Sequence, residues 1–358
     1  MEPKIININP KRIGLSADDK LSLLSNLATM LQAGISIIEA IDSLREDSKG
    51  NLYLVLTKLR QDLEQGKQVH DSFGQFTKIF NRVNVNIIKA AEESGTLEKV
   101  LFELKESMLK DMEFQDKVKS AGLYPLFVFI VFTVVLVGML FGIIPKIGTV
   151  FKSLSIPLPL PTRILIFTSD ILVNNTLLVI AIFAGTIALF VWLFKAKREM
   201  VLTALFGLPV ISDLVRDIDL TRFTRSLALL LASGIPITNA LELTKDVVVK
   251  PQVRDAINAA YQTILQGGKL SFGLSKKGKL FPGVLKKMIE VGERSGSLDK
   301  SLLDASGFLD YQTSKKIKTL TTLLEPLMLV GVAVLVGGMM MSIVAPIYGL
   351  IGSIGAKR

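Results

Sequence analysis

Two six-residue phrases gather the groups that could do chemistry: Glu92-Glu93-Ser94-Gly95-Thr96-Leu97 and Glu293-Arg294-Ser295-Gly296-Ser297-Leu298. Each sets charged side chains ahead of a Ser-Gly break and a Leu that opens a new helical pattern. Carboxylates and hydroxyls without a neighbouring histidine or thiol accept hydrogen bonds or dock a basic surface, but they form no nucleophile–base pair. The chain has no cysteine, which excludes disulfides, thiolate nucleophiles and Cys-ligated metals. His70 is the one histidine, too few for an H-E-x-x-H zinc helix, and is expected on a solvated helix face. No aspartate lies inside the apolar segments described below, which removes intramembrane aspartyl proteolysis. No catalytic residue, metal or cofactor is expected, and the chain does not read as an enzyme.

The phrases have two compatible readings. In one, Gly95 and Gly296 are left-handed helix terminators, Thr96 and Ser297 cap the next helices, and Leu97 and Leu298 are their first core residues. In the other, the turn presents Glu92, Glu93, Glu293 and Arg294 as a partner-docking surface.

The elements that must position these residues repeat. "LATMLQAGISIIEA" at 27–40 answers "LALLLASGIPITNA" at 227–240, an offset of 200, and the Ser-Gly phrases are offset by 201. Phe80-Asn81 answers Phe281-Pro282, Tyr124-Pro125 answers Glu325-Pro326, and Ile144-Pro145 answers Ala345-Pro346, all at 201. Spacing held over such a length marks an internal duplication. Within each copy the period is helical. Leu52, Val55, Leu56, Leu59 and Leu63 share one face, Gly66 follows as a stop, and Gly34 and Gly234 end the helices before them. Ser16-x-x-Asp19 and Ser36-x-x-Glu39 have the form of capping boxes. No strand alternation appears, so each copy is expected to be a bundle of five or six short helices.

Half of the chain (49%) is hydrophobic and mean hydropathy is +0.47, a membrane-protein composition. Gly122–Ile144 is charge-free and long enough to cross a hydrocarbon core of about 30 Å. Thr176–Phe194 ends at Trp192 and "KAKRE", and Pro326–Ala356 is uncharged, with a helix expected to stop near Ala345 before Pro346. The N-terminus has no signal-peptide pattern. Lys and Arg beside the spans favour one side by ten to five, placing the N-terminus in the cytoplasm. The expected fold is an all-α polytopic membrane protein. It comprises a short tail (1–15), a cytoplasmic helical domain (16–120), a first span (121–145), a proline-rich periplasmic loop (146–172) and a second span (173–194). A second cytoplasmic domain (195–319), a third span (320–350) and a periplasmic tail (351–358) follow. The second span is unrepeated because two copies can share a side only if one helix returns the chain between them.

Several small and charged residues have paired readings. Pro125, Pro145, Pro326 and Pro346 bracket the repeated spans and are expected to set their angles. Glu325, at a span edge, is a partner contact or, with Pro326, an interfacial helix start. Gly138-x-x-x-Gly142 and Gly338-x-x-x-Ser342 allow close helix approach, between copies of the chain or within one bundle.

The doubled helical module, its paired Ser-Gly phrases and its proline-bracketed spans resemble the type II secretion system F family over residues 16 to 352. The resemblance implies a non-catalytic platform of the bacterial inner membrane for type II secretion or type IV pilus assembly. Its implied partners are a cytoplasmic assembly ATPase, pilin or pseudopilin, inner-membrane alignment proteins, further copies of itself and membrane lipids. The family's Gly-Glu before Ser-Gly is Gly292-Glu293 in copy 2 but Ala91-Glu92 in copy 1, and the N-terminal extension of longer members is nearly absent, which leaves the pilus and secretion branches open. Charge is lopsided. Residues 1–120 carry 17 Lys and Arg against 18 Asp and Glu, whereas 195–319 carry 20 against 12. A basic domain suits anionic headgroups or an acidic patch on an ATPase. No aromatic-interleaved basic motif supports nucleic-acid binding. An oligomeric transporter or channel is the alternative, although a single edge carboxylate offers little chemistry at the membrane midplane.

Overall fold

The computed structural model describes residues 9–153, 160–175, 181, 185, 192, 209–276, 278 and 280–355. Among the described residues every regular element is helical. Copy 1 is built from α1 (Ala17–Gln32), α2 (Ile37–Glu46), α3 (Gly50–Glu64), α4 (Val69–Gly74), α5 (Arg82–Ser94) and the start of α6 (Leu97–Gly138). A π-helical segment (Met139–Ile143), α7 (Ile144–Ser153) and α8 (Leu160–Asn174) follow. Copy 2 comprises α9 (Pro209–Ala232), α10 (Ile237–Thr244), α11 (Pro251–Leu265), α12 (Leu270–Ser275), α13 (Gly283–Ser295) and α14 (Leu298–Gly355).

The duplication reaches down to single dihedrals. Gly34 and Gly234 have φ of 80° and 79°, Gly66 and Gly267 have 76° and 78°, and Gly95 and Gly296 both have 69°. The left-handed region disfavours any residue with a Cβ, so these glycines stop each helix at the same place in both copies. α1 and α2 match α9 and α10 at an offset of 200, and the later helices match at 201, so the extra residue lies between α10 and α11. Gly296→Ala meets no steric neighbour but keeps the strained φ. It should cost about 1–2 kcal/mol, read as a lower melting temperature.

Helix starts follow local chemistry. Ser16 and Ser36 accept the Asp19 and Glu39 amides at 3.0 and 3.3 Å, and Asn81 accepts that of Asn84 at 2.8 Å. Thr96 and Ser297 differ from expectation. Their carbonyls begin α6 and α14, but their hydroxyls pair with those of Ser94 and Ser295 at 2.8 and 2.7 Å. The left-handed glycine between each pair folds the two hydroxyls together, and the backbone bond to the next helix does the capping.

Residues Met1–Asp116 and Val210–Lys315 form one compact unit. The buried apolar side chains of both copies merge into one cluster, from Leu23, Leu27, Ile41 and Leu56 to Phe223, Leu227, Leu241 and Ile257. Asp62 is fully buried in copy 1, answered by Lys58, Lys67 and Gln75 at 2.8, 2.6 and 2.8 Å. Copy 2 has Thr263 there, receiving a bond from Lys276. The position is kept while its chemistry changes.

The second unit comprises Lys117–Pro209 and Lys316–Arg358. α6 continues through the π segment into α7, and its apolar stretch is almost wholly outward-facing, as is that of α14. Two described helices are therefore long and apolar enough to cross a membrane. The expected middle span, Thr176–Phe194, lies outside the described residues except for 181, 185 and 192.

Three expectations change in this unit. Pro326 does not open a helix beside Glu325 but lies inside one, as does Pro125, because the helices that begin at Leu97 and Leu298 run unbroken into the apolar stretch. α14 continues past Ala345 and Pro346 to Gly355. Residues 146–172 are largely helical, on both sides of the undescribed 154–159.

Pro145 is accommodated by the widened turn. The Ile144 amide bonds back five residues to the Met139 carbonyl. Continuing that pattern, Pro145 has no N–H for the Leu140 carbonyl. The buried Ser169 hydroxyl of α8 donates to it at 2.5 Å. A backbone group bared in an apolar setting is costly, so a serine one helix away replaces the missing donor. Ser169→Ala should lower stability by about 1–2 kcal/mol in detergent, whereas Thr168→Ala, whose hydroxyl bonds only within its own helix, should change it by less than about 0.5 kcal/mol.

Candidate functional site

The two repeated glutamates face inward. Glu92, near the end of α5, accepts the Val69 amide at 2.6 Å, the His70 amide at 3.1 Å and the His70 Nδ1 at 2.8 Å. Glu293, near the end of α13, accepts the Leu270 and Ser271 amides, the latter at 3.2 Å, and the Ser271 hydroxyl. Val69 and Leu270 open α4 and α12, which have only six residues each. So short a helix leaves most of its amides unpaired, and a carboxylate at its N-terminus satisfies two of them while meeting the positive end of its dipole. Each Ser-Gly phrase therefore carries a clasp that pins the fourth helix of its copy to the fifth.

His70 is 8% exposed, not on a solvated face, because its ring fills the space beside Glu92. Copy 2 has Ser271 in the same place and uses its hydroxyl instead. Partial burial pushes the Glu92 carboxyl up, but the Val69 and His70 amides and the His70 ring outweigh it and hold the pKa below the ordinary value. A lowered carboxylate pKa adds stability that is complete above about pH 4.5 and is lost as pH falls through the folded-state value. Glu92→Gln should therefore flatten the acid limb of a stability-against-pH curve while lowering stability at neutral pH.

Gly292 explains why the copies differ before this glutamate. A Cβ there would stand 2.7 Å from the Ser301 Cβ and Oγ and 3.1 Å from the Leu298 Cα, so α13 and α14 touch almost backbone to side chain. Copy 1 tolerates Ala91, fully buried, at the matching position.

A second set of charges gathers where the copies meet. Arg225 of α9 is 5% exposed; its Nη1 donates to Asp111 of α6 at 2.7 Å, and its Nη2 lies 3.8 Å from Asp310 of α14. Among the described residues its Nε and Nη2 have no hydrogen-bond acceptor. Asp111 keeps nearly half its side-chain exposure, yet partial desolvation pushes its pKa up; Arg225 and Arg222 pull it down and Asp310 pushes it further up. Lys20 is held below its ordinary pKa by burial, against the pull of Asp111. Arg82 of α5 reaches Asp246 beyond α10 at 3.0 Å, and a cavity of about 240 Å3 between these pairs is lined by Asn84, Ser107 and Arg222 among others. Asp219 adds a third carboxylate cap. It is fully buried on α9 and takes the Val249 amide at 3.0 Å and the Lys250 amide at 2.6 Å ahead of α11. Burial raises its pKa, and those two amides lower it.

The other expected site residues face outward or stand apart. Glu93 and Arg294 are largely exposed, with Lys89 at 3.9 Å from Glu93 and Glu290 beside Arg294. Glu325 is exposed on α14. Among the described residues a Cβ at Gly138 or Gly142 would meet nothing within 4 Å. Pro346 is helical, and the side chain of Ser342 lies outside the described residues. Sequence reasoning missed the Arg225, Asp219 and Ser169 contacts. Their signal was an aspartate, an arginine or a serine on an otherwise apolar helix face.

Among the described residues no three His, Asp or Glu side chains gather as a metal cage. What this arrangement does is hold helices against one another.

Comparison with known proteins finds the same doubling. The family model for the type II secretion system (T2SS), protein F, matches residues 23–145 and again 223–346. The chain is 32% identical to the type IV pilus assembly protein PilC of Thermus thermophilus over 334 residues, covering 92% of this chain and 82% of that protein. It is 31% identical to the type II secretion system protein F of Aeromonas hydrophila, covering 95% and 88%. It is 26% identical to PilC of Pseudomonas aeruginosa, covering 92% and 89%.

Proposed function

The chain belongs to the type II secretion system protein F family, and from that premise we propose that it is the inner-membrane platform of a type IV pilus or type II secretion machine. The observation that carries the proposal is the joining of two family modules in one unit whose core is shared. The shared core supports a reading with both modules on one face of the membrane, and the excess of Lys and Arg beside the spans supports the cytoplasm as that face. α6 and α14 then cross the bilayer, and a third span within 176–194 returns the chain between them.

In this reading the platform binds a cytoplasmic assembly ATPase and passes its motion to pilin or pseudopilin subunits in the bilayer. Glu93, Arg294 and Glu325 are its outward-facing candidates for partner contact. Glu92 and Glu293 support that surface from within, since their carboxylates are already bound to amides. Gly138 and Gly142 are candidates for close approach by a pilin helix or another platform copy. The net positive second module suits an acidic ATPase patch or anionic lipid.

Deleting the gene should abolish filaments or secretion while pilin processing continues, and mild-detergent purification should recover the assembly ATPase. Normal filaments and normal secretion in the deletion strain would refute the proposal. Solute uptake by the purified protein in vesicles would favour a transporter instead.

A further inference from the structure

The duplication gives one surface two chemistries. In copy 1, Glu64 at the end of α3 and Gln68 and Asp71 around the start of α4 are exposed. Copy 2 has Leu265, Lys269 and Phe272 at the matching positions, also exposed. The Asp71 side chain is 65% exposed and Phe272 is 62% exposed, so a solvated carboxylate in one copy answers a bare aromatic ring in the other. Water solvates the first readily and the second at a cost. Seating of the helix does not account for the ring. α12 lies directly on α11, where a Cβ at Gly273 would stand 2.7 Å from the Ala260 Cα, and it packs through Gly273 and Leu274 while Phe272 stays outside.

The ring is framed by cations that the chain leaves without a counter-charge. Lys276 extends over Phe272, its Nζ 5.4 Å from the ring centre, and donates to the neutral Thr263 hydroxyl at 3.2 Å. Lys269 is exposed three residues before the ring. The carboxylates of α13 are engaged elsewhere, Glu290 by Lys287 and Arg294 and Glu293 by the α12 amides. Among the described residues no carboxylate pairs with Lys269 or Lys276. The sequence continues the basic run with Lys277 and Lys279. Copy 1 has Gln68 and Gln75 where these two lysines stand, and its nearby Lys67 is held by Asp62.

We propose that Phe272, Lys269 and Lys276 form a docking surface for an acidic segment of a soluble protein. Such a segment sets an apolar side chain against the ring and carboxylates against the two ammonium groups. Charge complementarity selects an anion, and the exposed ring selects a peptide over a small ion. Position selects a soluble partner over lipid. α13 ends against the first turn of α14, where Gly292 meets Leu298 and Ser301, and Glu293 ties α12 to that same end. α14 leaves this unit after Lys315, about 25 Å further along the helix, and its apolar stretch begins beyond that, at Pro326. Copy 1, with Asp71 in place of the ring, repels the same segment, so each chain takes one such partner rather than two. The inference is independent of which filament or secretion machine the chain serves, and its test uses no component of either.

The full-length chain in phosphatidylcholine nanodiscs is titrated with a fluorescein-labelled peptide of Glu and Ala around one central Trp, read by fluorescence anisotropy. A second peptide carries Lys for each Glu, and flotation with phosphatidylglycerol vesicles tests lipid. The expected result is saturable binding of the acidic peptide at one site per chain, weakened by added salt, and no binding of the basic one. Phe272→Asp, and separately Lys269→Gln with Lys276→Gln, place copy 1's own residues in copy 2, a set the module fold already accommodates. Each should weaken the acidic peptide at least fivefold, with thermal melting checking that the variant folds and the lysine pair serving should Phe272→Asp fail to. Asp71→Phe with Gln68→Lys should add a second site per chain. Equal binding of the two peptides, binding of neither, or indifference to both sets of substitutions overturns the proposal. So does flotation that depends on Phe272 without acidic-peptide binding, the result that identifies a lipid surface.

Discussion

Glu293→Ala should unfold the fourth helix of the second copy from its neighbour and lower stability by about 2–4 kcal/mol. The carboxylate receives the Leu270 amide, the Ser271 amide and the Ser271 hydroxyl, and Leu270 is fully buried. Alanine leaves those donors without acceptors in a place that water reaches poorly, and an unsatisfied buried donor costs about 1–3 kcal/mol. α12 has six residues, too few to persist without outside support. Spread over a unit of this size, the loss corresponds to a melting temperature lower by roughly 5–10 °C. Glu293→Gln keeps one acceptor oxygen and should lose about half as much. Glu93→Ala, next to the equivalent clasp in copy 1 but exposed, should stay within about 0.5 kcal/mol. Thermal unfolding of the detergent-purified variants, with proteolysis at residues 266–276 as the local readout, separates these outcomes. Equal melting for Glu293→Ala and Glu93→Ala would show that the clasp contributes nothing.

Arg225→Leu is the second large effect. It keeps the apolar stem but removes the cation that bonds Asp111 and faces Asp310, leaving two carboxylates near each other. Breaking a buried pair from one side costs about 3–5 kcal/mol, and the partial exposure of Asp111 reduces the expected loss to about 2–4 kcal/mol. The sign of the pH response is specific. Burial already raises the Asp111 pKa, and without Arg225 it rises further. A carboxyl whose folded pKa exceeds its unfolded value binds its proton more tightly when folded, so stability increases as pH falls from the folded value toward the unfolded one. The deficit of Arg225→Leu should therefore shrink as pH falls toward the ordinary aspartate range. Glu92→Gln should lose its deficit only below about pH 4.5, because there the native clasp weakens. Denaturant unfolding of Arg225→Leu, Asp111→Asn and the double variant over a pH series running from neutral into the acid range measures this. A deficit independent of pH would contradict the placement of these charges.

What the sequence disclosed and what it hid follow a physical line. The stops at Gly34, Gly66 and Gly95 and their partners were visible because a left-handed residue leaves one admissible amino acid. The doubling was visible because those stops recur at fixed spacing. The direction of a side chain was hidden. Glu92 and Glu293 are hydrophilic residues beside a turn, which reads as solvent exposure, yet their amide partners lie 22 to 23 residues away and belong to helices too short to announce themselves. His70 was misplaced for the same reason. The prolines misled in the other direction. Pro125 and Pro326 looked like boundaries, but a long apolar helix tolerates proline where neighbours or a widened turn take up the freed carbonyl. Pro145 does this through Ser169, a contact over 29 residues that no local pattern encodes.

The account rests on two copies of one module sharing a core on the same side of a membrane. The Cys-free chain allows this to be measured by placing single cysteines at Lys49 in copy 1, Gln252 in copy 2 and Thr149 in α7, all exposed, and labelling them with a membrane-impermeant maleimide. In inverted inner-membrane vesicles Lys49→Cys and Gln252→Cys should label together and Thr149→Cys should not, with the reverse pattern in right-side-out spheroplasts. Labelling of Lys49→Cys and Gln252→Cys from opposite faces would contradict the shared core and the platform built on it.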